Sequence, residues 1–189
     1  MTHVLFVCMA NQCRSPLAEA IARQEFGGGG VEFASAGLMA GGAHVPPVGI
    51  RVADELEIDL GDHVSRQVDA GIIASADLVL TMERKHAREL VAADPGLWPR
   101  VFTLKQFSRW AEGRSAPTDE DFRAWLEREA GDRPRGELLG SDAADDIDDP
   151  VNSPARAWRR LATELREHIR IVLDALPAAD DQAIHSRMR

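Results

Sequence analysis

The chain has 189 residues, 44% hydrophobic and 28% charged, with a formal net charge of -9. That balance suits a single globular domain with a full core and excludes fibrous or low-complexity classes. No apolar run reaches the length of a membrane span, no basic-then-apolar leader precedes the first strand, and two cysteines cannot build a disulfide framework. A cytoplasmic protein is the expectation. The basic residues are almost all arginine and form no long run, so nucleic acid is not an expected partner of so acidic a chain.

Taken in order, the chain opens on Val4-Leu5-Phe6-Val7, four apolar residues that suit a strand covered on both faces of a parallel sheet. A short loop, Cys8 to Arg14, leads to Ser15-Pro16 and an amphipathic helix; proline is tolerated in a first turn, where its missing N–H costs nothing. Such a loop aims unpaired amides at one point, and the helix dipole makes that point positive, so it is built to hold an anion, typically phosphate. The amides of Met9, Ala10, Asn11, Gln12, Cys13 and Ser15 would line this cradle. Cys8, at its base, sits in a field that favours thiolate, and Ser15 is placed to hydrogen-bond to it. Arg14 adds a planar fork able to grip two phosphate oxygens. Nucleophile, cradle and clamp within seven residues make a site for phosphoryl transfer to sulfur.

Four glycines, Gly27 to Gly30, end the helix; they follow a helix rather than open one, which argues against a dinucleotide loop. Val31 to Ala36 reads as the second strand, residues 38 to 47 as a loop, and Val48 to Leu56 as a helix. A short helix near 69 to 75 precedes the strand Asp77 to Met82, and Glu83 opens a helix through Ala92. After a turn at Asp94-Pro95-Gly96, Arg100 to Leu104 reads as the fourth strand and Lys105 to Ala111 as a helix with Phe107 and Trp110 inward. Strands separated by helices argue for right-handed crossovers and a parallel sheet, with the phosphate site at the C-terminal edge of the first strand. Asp119 to Ala130 predicts a helix with Phe122, Trp125 and Leu126 as its apolar contacts, and Gly131 to Ile147 a loop free to move. Ser153 as N-cap and Pro154 in the first turn would start the last helix, carried by Trp158, Leu161, Leu165, Ile169 or His168, Val172 and Leu176 and stopped by Pro177. Residues 178 to 189 are polar and read as a frayed tail.

Val7 to Glu19 resembles the phosphate loop of the low-molecular-weight protein tyrosine phosphatases, Val-Cys-x-Gly-Asn-x-Cys-Arg-Ser-Pro-x-Ala-Glu, departing only at Ala10. The resemblance runs through Ser35-Ala36-Gly37, His63-Val64-Ser65-Arg66-Gln67 and Met82-Glu83, and returns at Asp149-Pro150. It implies a three-layer α/β/α domain over 1–177 with a four-stranded parallel sheet in the order 2-1-3-4. Residues of about 112–147 form an insertion beside the active-site rim. It also implies a phosphotyrosine-type phosphatase acting on a phosphorylated protein through a cysteinyl-phosphate, with Asp149 as general acid, no metal and no cofactor. Asp148 remains an alternative for the acid, within an acidic run that also reads as a solvated loop. By the same resemblance His63 supports Asn11 and Ser15, and Ser35 belongs to the supporting set. The family's aromatic cleft walls have no counterpart: Leu38, Met39 and His44 stand on one side, Val151 and Asn152 on the other, which points to a shifted substrate preference.

Two rival readings keep the same loop. One is an arsenate reductase using a low-molecular-weight thiol, since no cysteine follows Cys13 to serve a thioredoxin-coupled version. The other is a catalytically weak phosphate-binding regulatory module. Cys13 reads either as a disulfide partner that protects Cys8 from oxidation or as simple packing. The oligomeric state is not legible.

Overall fold

The computed structural model describes residues 1–26, 29–116 and 120–177. The tail at 178–189, two of the four glycines and Asp119 therefore lie outside the described residues. Four strands, β1 (Thr2–Cys8), β2 (Val31–Gly37), β3 (Leu78–Thr81) and β4 (Val101–Thr103), form one sheet in the order β2-β1-β3-β4. Every pairing is parallel: Val4 to Val7 of β1 lie opposite Phe33 to Ala36 on one side and Leu78 to Thr81 on the other. A packed core on each face of the sheet explains the unbroken apolar run of β1. Val4 and Phe6 enter one core, Leu5 and Val7 the other. Each such fully buried side chain contributes about 1.5–3 kcal/mol of transfer free energy.

The first core lies under α1 (Arg14–Glu25), α2 (Pro47–Glu55), α5 (Leu104–Ala111) and α7 (Ala155–Ala175). The second lies under α3 (Ala70–Ser75), α4 (Arg84–Ala93) and a 3-10 helix at Pro95–Arg100. Trp158, Leu161, Leu165, Ile169 and Val172 are all buried, as their spacing on α7 predicts. Trp158 explains Gly49 in α2: a Cβ there would lie 2.4 Å from the indole ring. At its N-terminus α7 departs from the sequence reading. It begins at Ala155 with Pro154 as its cap, and Ser153 makes no capping bond. Conversely, a capping box between Thr103 and Gln106 starts α5, which the sequence reading overlooked.

The stretch after α5 is anchored at several points. Its helix α6 (Phe122–Ala130) packs on the 3-10 helix and sets Trp125 against Trp110, with ring centroids 5.3 Å apart. The segment after α6 is not loose. Arg84 donates to Asp142, Asp145 and the Leu139 carbonyl, while Arg88 reaches the carbonyls of Leu138 and Gly140. Arg109 reaches Ala144 and Asp145. Three arginines from α4 and α5 therefore hold a stretch that composition alone makes look mobile. Its end reaches the C-terminal edge of the sheet, where Ile147 N donates to Met82 O just after β3.

Candidate active site

The loop between β1 and α1 is shaped by backbone geometry first. Asn11 takes the left-handed conformation (φ 52°), a role asparagine tolerates, so Ala10 is spared the positive φ that would strain it. Cys8 and Met9 turn their carbonyls onto the amides of Leu38 and Met39. Gly37 lets β2 pass this close, since a Cβ there would stand 2.9 Å from Ala10 and Asn11 backbone atoms. Ala10, Gln12, Cys13, Arg14 and Ser15 direct their amides to no protein acceptor among the described residues. These are the free donors of an anion cradle at a helix N-terminus.

Cys8 Sγ accepts from Asn11 N at 3.2 Å and lies 3.0 Å from Ser15 Oγ. Asn11, fully buried, is the hub of the support: its Nδ2 donates to Ser15 Oγ (3.0 Å) and Ser35 Oγ (2.9 Å), and its Oδ1 accepts from Arg66 N. His63 Nε2 lies 2.8 Å from the Asn11 carbonyl, so that nitrogen carries the proton. His63 thus touches Asn11 directly and Ser15 only through it. Cys13 is a free, buried thiol. Burial raises its pKa well above the ordinary thiol range, the charges of Asp149 and Cys8 add to this, and Arg14 opposes it. It stays protonated at neutral pH and is no second nucleophile.

Arg14 is 2% exposed and forms three charge-assisted or carbonyl bonds. Nη1 donates to Glu83 Oε1 (2.6 Å) and to the Ile147 carbonyl (2.9 Å), and Nη2 to Asp149 Oδ2 (2.6 Å). Burial alone would lower the Arg14 pKa, but Asp149 and Glu83 more than offset it and hold the guanidinium firmly charged. Burial likewise works against ionised Glu83; the hydrogen bonds from Lys85 and Arg14 outweigh it and lower its pKa. Nε of Arg14 is enclosed without a partner among the described residues. Asp149 accepts from Val151 N through its other oxygen, whereas exposed Asp148 makes no bond to Arg14.

Sequence reasoning brought together Cys8, Asn11, Arg14, Ser15, Ser35, His63 and Asp149; the structure joins Cys8, Asn11, Ser15, Ser35 and His63 in one hydrogen-bonded set and pairs Arg14 with Asp149 in another. Glu83, Arg66 and the Ile147 carbonyl were missed. Glu83 carried a usable signal: it follows the apolar strand that pairs with β1, so it ends at the same sheet edge as Cys8. Behind it, His86 is fully buried; its Nε2 lies 3.5 Å from Glu83 Oε1, too long for a hydrogen bond, and neither ring nitrogen has a partner. Burial depresses its pKa to about 4, with the Glu83 charge opposing, so this ring is neutral. Among the described residues no group of three or more His, Cys, Asp or Glu side chains is placed to hold a metal ion. No helix among them is long and apolar enough to cross a membrane.

Comparison with known proteins agrees with this geometry. A model of the low molecular weight phosphotyrosine protein phosphatases matches residues 3–120. A probable low molecular weight protein-tyrosine-phosphatase of Ralstonia solanacearum is 33% identical over 107 residues, covering 57% of this chain and 73% of the relative. The protein-arginine-phosphatase of Bacillus subtilis is 36% identical over 114 residues, covering 58% and 75%. Among solved structures, a low molecular weight protein tyrosine phosphatase from T. tengcongensis superposes with TM-score 0.68 at 28% identity, covering 92% of this chain and 98% of its own. An arginine phosphatase from Geobacillus stearothermophilus gives TM-score 0.68 at 26% identity, covering 100% and 98%. The chain belongs to the low molecular weight phosphotyrosine protein phosphatase family, and its chemistry is that of a cysteine-dependent protein phosphatase.

Proposed function

We propose that Cys8 is the nucleophile, Arg14 the phosphate clamp and Asp149 the general acid in hydrolysis of phosphotyrosine-type monoesters on a protein substrate. The observation that carries this is the 2.6 Å bond between Arg14 Nη2 and Asp149 Oδ2, which sets the acid at the edge of the phosphate clamp. A phosphate dianion entering the cradle takes Arg14 and the free amides. Asp149 is released from Arg14 and, carrying a proton taken from solvent, faces the departing oxygen. The Cys8 sulfur then forms the S–P bond as the P–O bond breaks, and Asp149 gives its proton to the departing oxygen. Water next attacks phosphorus, the S–P bond breaks, and Asp149 takes the proton of that water. The loop amides and Arg14 stabilise the equatorial oxygens in both steps. Asp148, without contact to Arg14, is the weaker candidate for the acid. A nucleophilic thiol needs a reducing compartment, and with both thiols free the reading extends to a cytoplasmic enzyme.

Initial rates on an aryl phosphate test these roles. Cys8→Ser is expected to abolish turnover, by more than about a thousandfold. Asp149→Asn is expected to lower kcat by about 100- to 1,000-fold with a good substrate-binding constant retained, and Asp148→Asn by much less. Turnover by Cys8→Ser would refute the mechanism.

A second substrate class is favoured by the mouth of the site. Met39, tied by its amide to Met9, is 55% exposed, and Val151, beside Asp149, is 38% exposed. These aliphatic walls offer no ring to stack on a phenyl group, and arginine phosphatases are among the relatives. Comparing kcat/KM on a phosphotyrosine peptide and a phosphoarginine peptide of the same sequence decides between them. A tenfold preference for phosphotyrosine removes the second reading.

A further inference from the structure

A second cleft, of about 430 Å³, lies away from the phosphate loop, between α5 and the insertion. Its charged lining is four guanidinium groups, Arg84, Arg109, Arg114 and Arg133, against two carboxylates, Glu137 and Asp145. On a chain of net charge -9 this is a local reversal of sign. One of the two carboxylates is already engaged: Asp145 is 1% exposed and accepts from Arg84, Arg109 and Gln106. The guanidinium groups are also pre-shaped by aromatic rings. Arg114 lies 5.2 Å from the Trp110 centroid, and Arg133 sits 3.3 Å over Phe102. Arg133 Nη1 is enclosed without an acceptor among the described residues, and burial lowers the pKa of this group to about 10. The rest of this guanidinium is fixed by the carbonyls of Ala130, Trp98 and Val101, and no carboxylate among the described residues pairs with it, so its charge at the cleft wall is left for an anion to balance.

We propose that this cleft binds a small polyanion of the diphosphate kind and that its occupancy lowers turnover at Cys8. The volume is in the range of small-ligand sites, and forked guanidinium donors match paired phosphate oxygens. The route to the phosphate loop is short and consists of bonds on the page. Arg84 and Arg109 line the cleft and hold Asp145. Two residues on, Ile147 donates to the end of β3 and accepts from Arg14; Asp149 follows and pairs with the same arginine. An anion competes with Asp145 for Arg109 and Arg84, so the segment 145–149 loses an anchor while Arg14 loses a partner. Arg133 lies beyond the residues that the family model matches, so a phosphatase without that stretch lacks the guanidinium that sits over Phe102.

Methylenediphosphonate, which carries no ester bond to hydrolyse, is the probe. Calorimetry of the full chain is expected to give two sites per chain, one at the phosphate loop and one at the cleft. Rates on an aryl phosphate should show kcat falling at least threefold at saturating substrate, together with a competitive component. In Arg114→Glu, an exposed position, the kcat effect and one binding site are expected to vanish while competition remains. Arg133→Met, with its folding checked by thermal unfolding, should do the same. A single site with purely competitive inhibition overturns the proposal, as does an undiminished kcat effect in both variants.

Discussion

The phosphate loop at residues 8–15 and the inserted stretch at residues 120–147 are both partly irregular, yet they are held in different ways. The loop is fixed by short side chains and main-chain bonds: Asn11 to Ser15 and Ser35, Ser15 to Cys8, and carbonyls of Cys8 and Met9 on the next strand's exit. Few rotatable bonds separate these groups from the backbone, so little entropy opposes their order. The insertion is held by arginines that reach 35 to 61 residues along the chain, from α4 and α5 to carbonyls and to Asp145. Each of those contacts orders a long side chain. What the pair teaches is that a catalytic floor can be rigid by local design, while an added layer depends on a few distant charged anchors, which are more easily withdrawn.

The sharpest way to break the contrast is at Asp145. Asp145→Ala leaves Arg84 without its buried partner and is expected to lower unfolding free energy by about 3 kcal/mol, somewhat reduced because Arg109 is half exposed. Burial acts to raise the Asp145 pKa but the bonds from Arg109 and Arg84 outweigh it, so its contribution is present at neutral pH and lost as pH falls through the carboxylate range. Urea unfolding at pH 7 measures the loss. On the floor, Asn11→Ala removes the hub and puts alanine at φ 52°; kcat/KM on an aryl phosphate is expected to fall about 100-fold. Equal activity losses in the two variants would erase the distinction between floor and insertion.

Between the two regions stands His86. Its folded pKa of about 4 lies below its ordinary value near 6.5, so the unfolded chain binds the extra proton. Stability is therefore full above about pH 6.5 and declines as pH falls toward 4, by about 2 kcal/mol between pH 7 and pH 5. Unfolding curves at both pH values should show that difference, and His86→Leu should remove it. The smallest expected effect is at Glu83→Gln. Arg14 keeps a hydrogen-bond acceptor but loses a carboxylate, so kcat/KM is expected to drop about tenfold with stability nearly unchanged.

Much of the floor was legible because its determinants are local. An apolar run, a loop of seven residues and Ser-Pro opening a helix place Cys8, Arg14 and Ser15 with no knowledge of the rest of the chain. The sheet order and strand positions agree with the resemblance for a related reason: buried parallel strands are read from continuous apolar runs. Glu83 was visible as the start of a helix but not as the anchor of Arg14, because that role arises only when β3 is laid beside β1. The anchoring of the stretch after α6 was not legible, because glycine, proline and acidic composition describe a loop's solvation and say nothing about which distant arginines will claim its carbonyls.

By itself the sequence determined the chemistry at β1: a thiol at the base of an amide cradle with a guanidinium six residues on. It also determined the two-sided burial of the central strand, since hydrophobic periodicity is a property of neighbouring residues. Only the tertiary structure decided what Arg14 grips at rest, where α6 packs, and that Asp149 rather than Asp148 meets the clamp. Those are contacts between groups 69 and 135 positions apart, and the pairing of distant charges is set by how the strands are ordered, not by spacing along the chain.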